Sequence, residues 1–246
     1  MAAVLTYAIG DIHGSYTKLA NLLRHCVDHC GDNTARFVFL GDYVDRGKRS
    51  REVVALLIEA QARWPGQVVC LRGNHEDMLV AAAHRQDEMM WLDNGGDATL
   101  HSYGARSADE LPSEHLGWFE SLPLYEHDQR RFFVHAGIMP GIPLAQQRKE
   151  VLLWIREPFL SDTTDHGLYI VHGHTPTDTG LPDLRPNRLN LDTLAWYGNP
   201  LIAAVFDERR VGPIAFIADD GTVQAAAAIN AREQEMYGSG KRARAR

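Results

Sequence analysis

Three short runs share one grammar, and their spacing limits the fold more than any other feature of the chain. In each, apolar residues of strand length lead into a glycine and then into side chains able to bind a cation. Residues 5–9 run into Gly10-Asp11-Ile12-His13-Gly14, residues 37–40 into Gly41-Asp42-Tyr43-Val44-Asp45-Arg46-Gly47, and residues 68–71 into Arg72-Gly73-Asn74-His75-Glu76. Asp42 follows Asp11 by 31 residues and Asn74 follows Asp42 by 32, the length of a strand, a crossover helix and a second parallel strand. Right-handed crossovers bring all three strand ends to one side of a parallel sheet, where open α/β sheets bind ligands. Asp11, His13, Asp42 and Asn74 are therefore expected to converge, with Asp42 as the bridge of a metal pair.

The intervening segments suit crossovers. Residues 16–30 carry apolar side chains at 16, 19, 22, 23, 26, 27 and 30, which is a helical period. Residues 49–63 repeat it through Val53, Val54, Leu56, Leu57 and Ile58, until Trp64-Pro65-Gly66 stops the helix. A third helix over 76–85 would set His75 near a helix N-terminus, where an anion such as phosphate is favoured. In the first helix His25, Cys26, His29 and Cys30 form two i,i+4 pairs, a spacing that suits zinc. Cys26 and Cys30 also lie on the apolar stripe, so the same residues read as buried small hydrophobes beside polar histidines.

Residues 86–125 break the alternation and are expected to form an insertion over the site. Asn94 and Asp97 are candidates to touch a substrate there, while Asx-Gly turn chemistry explains Asn94-Gly95 without one. A further helix is expected over 111–122. Beyond Tyr125 the pattern turns to short strands at 131–134, 168–171, 188–191, 201–206 and 213–218, expected to form a second sheet packed on the first.

Bulk properties narrow the class. At 246 residues one domain over 1–230 is credible, with 231–246 as a basic, disordered tail. Lys241-Arg242-Ala243-Arg244-Ala245-Arg246 could also dock acidic partners. A net charge of −7 argues against general nucleic-acid binding. Three cysteines fit a reducing compartment rather than a disulfide framework. Nothing approaches a membrane-spanning apolar run, and the first residues lack the basic region of a signal peptide, so the expected location is the cytoplasm, with no membrane partner.

The three runs, in this order and spacing, resemble the signature of the PPP-type metallophosphoesterases, which include serine/threonine protein phosphatases and symmetrical diadenosine tetraphosphatases. Phe133-Val134-His135-Ala136-Gly137 and His172-Gly173-His174-Thr175-Pro176 resemble that family's later ligand motifs, so the likeness covers residues 4–206. It implies an α/β fold, the calcineurin-like sandwich of two central mixed β-sheets flanked by helices. It also implies two divalent ions, manganese first, with iron or zinc as alternatives. Asp11, His13 and Asp42 would hold one ion, and Asp42, Asn74, His135 and His174 the other, leaving His172 a supporting place at its strand end.

By the same resemblance His75 protonates the leaving oxygen while Asp45 orients its ring, although a turn or cap contact would also explain Asp45. Arg46 and Arg72 would fork onto phosphate oxygens. Arg156 resembles a third such arginine, with a local ion pair to Glu157 as the alternative. The implied reaction is in-line attack by hydroxide held on the two ions, without a phosphoenzyme. One departure stands out: Asn190-Leu191-Asp192-Thr193 resembles a motif usually followed by glycine, whereas here Leu194-Ala195-Trp196-Tyr197 follows. Trp196 and Tyr197 suit ordinary packing, or a wall that stacks on an adenine or covers an apolar side chain.

The activity expected first is a phosphoprotein phosphatase acting on phosphoserine and phosphothreonine, with phosphotyrosine open. The runner-up is a diadenosine tetraphosphate hydrolase using the same centre. A non-catalytic phosphate-binding scaffold comes third, because no ligand, acid or arginine is missing. Phosphorylated proteins or phosphorylated small molecules are the expected partners.

Overall fold

In the computed structural model, which describes residues 3–227, strands β1 (Val4–Ile9), β2 (Thr34–Phe39) and β3 (Val68–Cys70) pair in parallel. Helices α1 (Tyr16–Cys30) and α2 (Ser50–Arg63) make the two crossovers. These strands do not alternate in polarity because both faces are covered. Tyr7, Ile9, Phe37 and Phe39 meet Leu19, Leu22, Val53 and Leu57 of the helices on one side. Ala8, Val38 and Leu40 point to the other. Each fully buried side chain of this kind contributes roughly 1.5–3 kcal/mol.

After β3 the chain forms α3 (Asn74–Ala83), α4 (Glu88–Trp91), a wide turn at Leu92–Gly96, α5 (Asp97–Tyr103) and α6 (Ser113–Ser121). Trp91 and Phe119 carry this segment into the helix-side core. The second sheet follows, with β4 (Tyr125–His127), β5 (Arg131–Val134), β6 (Tyr169–His172), β7 (Asp183–Leu184) and β8 (Arg188–Asn190) in the order β4-β5-β6-β8-β7. Its β5, β6 and β8 are parallel, and the edge strands are antiparallel. Phe133, Val171, Leu189 and Leu191 face the first sheet. Phe132, Val134 and Ile170 pack outward on Leu152, Ile155 and Phe159, around helix α7 (Lys149–Trp154). The layers are thus helices, sheet, sheet and helix.

One expectation is corrected. The strands expected at 201–206 and 213–218 are not in the second sheet. Strands β9 (Ile202–Phe206), β10 (Ala215–Ala218) and β11 (Val223–Ala225) extend the first, in the order β11-β10-β9-β1-β2-β3, and β9 runs antiparallel to β1. The reason lies in β9 itself. Ala203 and Val205 enter the helix-side core while Ile202, Ala204 and Phe206 enter the core between the sheets. A strand apolar on both faces needs an interior place in a covered sheet, and the gap between β10 and β1 supplies one.

His25, Cys26, His29 and Cys30 gather no cation site among the described residues; His29 Nδ1 lies 3.0 Å from the Tyr7 hydroxyl, and both cysteines are buried. Among the described residues no helix is long and apolar enough to cross a membrane. The tail expected over 231–246 lies outside the described residues.

Candidate metal centre

The loops that leave β1, β2, β3, β5 and β6 meet at one edge of the two sheets, and their backbones are bent in ways side chains ordinarily resist. His13, Asp42, Asp45, Arg46 and His174 have φ of 43°, 55°, 70°, 64° and 67°, a left-handed region that costs roughly 1–2 kcal/mol for each non-glycine residue. Buried hydrogen bonds hold the bends. The Glu76 carboxylate accepts from the backbone N–H of Asp42 at 2.8 Å, Tyr43 at 2.8 Å and Gly73 at 2.9 Å. Burial lifts its carboxyl to about 7, against the lowering pull of those donors. The N–H groups of Ile12 and His13 donate to the Asp42 carbonyl at 3.0 and 2.8 Å, locking the first loop to the second.

Asp42 stands at the centre of two groups of potential ligand atoms, each gathered within 4.8 Å: His13, Asp42 and His75, and Asp42, His135 and His174. The tautomers follow from the outer partners. His13 Nδ1 donates to the Val44 carbonyl at 2.7 Å, and His135 Nδ1 to that of Leu40 at 3.0 Å. Each Nε2 therefore turns a lone pair inward. His13 Nε2 is 3.4 Å from Asp42 Oδ2, and His135 Nε2 is 3.4 Å from Asp42 Oδ1 and 2.8 Å from Asn74 Oδ1. His174 Nδ1 lies 3.0 Å from the same Asn74 oxygen. Acceptors face acceptors, an arrangement that repels itself until a cation lies between them, so this donor set fits divalent ions.

The electrostatics agree. Burial, reinforced by Asp192 for Asp11 and by Asp11 for Asp42, raises both carboxyls well above the usual range. Burial lowers His13 and His135 well below the ordinary imidazole value and His174 to about 3, leaving neutral rings able to offer a lone pair. The mixed oxygen and nitrogen set suits first-row transition ions. Two glycines make the approach possible. A Cβ on Gly73 would strike Asp42 Oδ1, and one on Gly173 would strike Asp11 Oδ1.

The other expected residues fall into place unevenly. Asp11 is outside both groups of three, its carboxylate accepting the His174 N–H at 3.1 Å, and His75 stands in the first group instead. His75 Nδ1 lies 2.7 Å from Asp45 Oδ2. Burial, with Arg46 next, lowers His75, while burial lifts Asp45 to about 8 against donors from Thr99 and Trp91. Arg46 reaches His13 Nε2 at 3.1 Å and His75 Nε2 at 3.0 Å. Arg72 is held by Asp77 Oδ1 at 3.2 Å and the Glu120 carbonyl at 2.5 Å, while its Nε is buried without a hydrogen-bond partner among the described residues.

Arg156 is exposed, and its charge is felt by His174 and Asp192. Glu157 accepts from Ser161 at 2.6 Å, and among the described residues it makes no ion pair with Arg156. His172 points outward, 5.0 Å from the Phe159 ring and 3.4 Å from Arg188 Nη1. Asn94 is half-buried and donates to the Met90 carbonyl at 2.8 Å, a local contact.

Three residues with structural importance here escaped the sequence reading. Trp91 Nε1 donates to both Asp45 oxygens at 3.0 Å. Thr99 Oγ1 donates to Asp45 Oδ1 at 2.7 Å and accepts the Asp45 N–H at 2.8 Å. Glu76 carries the bend at Asp42. Its position three residues after Gly73 at the start of α3 is capping-box spacing, the one signal that was available. Leu194, where the resembled motif has glycine, takes φ 60° with its N–H on Asp192 Oδ1 at 2.9 Å.

Three solved structures share the architecture. A candidate diadenosine tetraphosphatase aligns with a TM-score of 0.66 at 22% identity, over 89% of this chain and 98% of its own. A cold-active protein-tyrosine phosphatase of a psychrophilic Shewanella species gives 0.64 at 19%, over 92% and 82%. A protein serine/threonine phosphatase from Saccharomyces cerevisiae gives 0.60 at 19%, over 91% and 79%. At such identities the likeness is one of fold. The family model for calcineurin-like phosphoesterases matches residues 5–207, which takes in all five ligand-bearing loops, and the chain belongs to that family.

Proposed function

We propose that the chain hydrolyses a phosphate ester or anhydride at a two-metal centre. The observation that carries this reading is Asp42, shared by both groups of inward-facing ligand atoms. Asp11, His13 and Asp42 would hold one ion, and Asp42, Asn74, His135 and His174 the other. When bound, such ions supply Lewis-acid polarisation of a phosphoryl oxygen and lower the pKa of water. Arg46, on the His13 side, is placed to fork onto two phosphoryl oxygens, and Arg156 adds charge from the His174 side. His75 presents Nε2 to the centre while Asp45 fixes its Nδ1, so the ring is oriented to pass a proton to the departing oxygen.

The substrate is chosen by the walls. A phosphoserine or phosphothreonine side chain needs little beyond the centre, and remains the first reading from sequence. A second reading, a nucleoside polyphosphate, is favoured by indoles on opposite sides. The Trp154 and His174 ring centroids are 5.9 Å apart, and those of Trp196 and His13 are 6.5 Å apart. The test uses metal-stripped protein reloaded with Mn²⁺ and given p-nitrophenyl phosphate, phosphopeptides and diadenosine tetraphosphate in parallel. Hydrolysis that falls at least a hundredfold in Asp42→Asn and His75→Ala is expected. A phosphorylated protein residue trapped during turnover would defeat the proposal.

A further inference from the structure

The segment that leaves His174 forms one wall of a cavity of about 230 Å³. Thr175, Thr177, Asp183, Arg185, Arg188 and Asn190 are among the residues lining it, and the lining includes no metal ligand and none of the arginines assigned to phosphoryl binding. Strand β8 supplies the opposite wall. Leu189 faces the core between the sheets, so Arg188 and Asn190, one residue to either side, point to the other face of the strand. Both are buried there, each at 4% exposure.

Burying an arginine is costly unless its donors find acceptors. Arg188 Nη1 donates to Asp183 Oδ2 at 2.9 Å and Nη2 to the Leu160 carbonyl at 2.9 Å, which fixes the guanidinium. Its Nε is buried with no hydrogen-bond partner among the described residues, and so are Thr175 Oγ1 and Thr177 Oγ1. Among the described residues five buried side-chain atoms are orphaned in this way, and three of them belong to residues of this one cavity. Buried polar groups are ordinarily paired, so the clustering points to a ligand that supplies acceptor oxygens. The wall itself is held in place. The N–H groups of Thr175 and Thr177 donate to the carbonyls of Gly173 and Asp192 at 2.8 and 2.9 Å, and the Asn190 amide donates to the Thr175 carbonyl at 2.7 Å.

Charge and size restrict the ligand. Asp183 divides its two oxygens between Arg185 Nε at 2.6 Å and Arg188. One carboxylate between two guanidiniums leaves that wall with an excess of positive charge. Asp178, also on the lining, is exposed, where solvent and salt screen it. Three separate donors, a guanidinium N–H and two hydroxyls, match the several oxygens of a small oxyanion, and the bond from the guanidinium is charge-assisted. The volume lies below the roughly 300–1,000 Å³ of sites for drug-sized molecules, which suits an ion or a ligand of a few carbons. We infer that this cavity binds a phosphate-sized oxyanion, held by Arg188 Nε and the hydroxyls of Thr175 and Thr177. The site is separate from the metal centre and does not depend on the hydrolytic reading. Because Thr175 directly follows His174, an ion held here also braces the loop that carries a metal ligand.

Calorimetric titration of full-length, metal-stripped protein with inorganic phosphate and with glycerol 3-phosphate reads the binding, with Tm followed alongside at constant ionic strength. Phosphate is expected to bind with a dissociation constant of about 1 mM or tighter and to raise Tm. Thr175→Val and Thr177→Val keep the side-chain shape and remove one hydroxyl each. Both variants should melt at or above the parent's Tm, because each loses a buried hydroxyl that has no partner in the free protein, and both should bind phosphate at least fivefold more weakly. Tighter binding of glycerol 3-phosphate would identify a phosphomonoester as the occupant, and tighter binding of phosphate the free ion; either supports the site. Absence of heat and of any Tm rise with both compounds overturns the inference. Phosphate binding that is unchanged in both threonine variants overturns it too, and its loss in Arg46→Ala would then place the ion in the metal centre.

Discussion

Thr99→Val should be among the most informative single changes, because it alters hydrogen bonding at Asp45 with almost no change in shape. Thr99 is fully buried. Its hydroxyl donates to Asp45 Oδ1 at 2.7 Å and accepts the Asp45 N–H at 2.8 Å. Valine removes both bonds, together with the 3.1 Å contact to the Ser50 hydroxyl. The lost bond to the carboxyl is worth about 1 kcal/mol, and the buried N–H left without an acceptor costs ~1–3 kcal/mol. A net loss of about 3 kcal/mol lowers Tm by roughly 6–12 °C in a chain of this size. Differential scanning calorimetry of the metal-stripped protein reads this directly, and Thr99→Ser should restore most of it. Because Asp45 then holds His75 less firmly, hydrolysis of an alkyl phosphate should fall more than that of p-nitrophenyl phosphate, whose leaving group needs less help from an acid. A valine variant that melts within about 1 °C of the parent and keeps the same leaving-group dependence refutes the view that Thr99 sets the Asp45–His75 pair.

Gly173→Ala should press a methyl group onto Asp11 Oδ1; Mn²⁺ titration is expected to show at least tenfold weaker binding at one site, and unchanged affinity would mean the carboxylate has room to move. Cys26, Cys30 and Cys70 are buried, so a chromogenic thiol reagent should find no rapidly reacting cysteine in the native protein and all three after denaturation. Burial lowers His115, whose Nδ1 lies 2.7 Å from the Tyr103 hydroxyl, below its ordinary value of 6.5. The unfolded chain then takes up this proton first, so the contribution is complete above pH 6.5 and is lost as pH falls through the folded value. Tm measured at pH 7.5 and 5.5 should drop less in His115→Gln than in the parent, and an equal drop would assign the loss to other groups.

Local pattern carried much of the fold. The helical period of residues 16–30 coincides with α1, and the strand–glycine–ligand grammar locates the edge where Asp42 meets histidines from both halves of the chain. What escaped was partnership at a distance. The apolar run in β9 marks a strand covered on both faces, but which sheet receives it depends on the free edge of β1, far away in sequence. Trp91 and Thr99 read as ordinary residues of an insertion, because their acceptor is the distant carboxyl of Asp45. His75 joins His13 and Asp42 within 4.8 Å while Asp11 stays outside that group, a detail that spacing does not encode. The partners of Arg72, Asp77 and the Glu120 carbonyl, are likewise not encoded in the local run around it.

The place of β9 also sets a timetable for synthesis. Tyr7 is paired with Val205, so one edge of β1 stays unsatisfied during synthesis until β9 has emerged. During that interval β1, β2 and β3 with their helices form a half-built sheet with a naked apolar edge, the kind of surface that invites pairing with another nascent chain. Long-range closure of this sort is slow. A chain interrupted before residue 202 would therefore be more than shortened: it would carry the metal loops of β1, β2 and β3 on a sheet that remains open, and such fragments should be recovered with chaperones or in aggregates rather than as truncated enzymes.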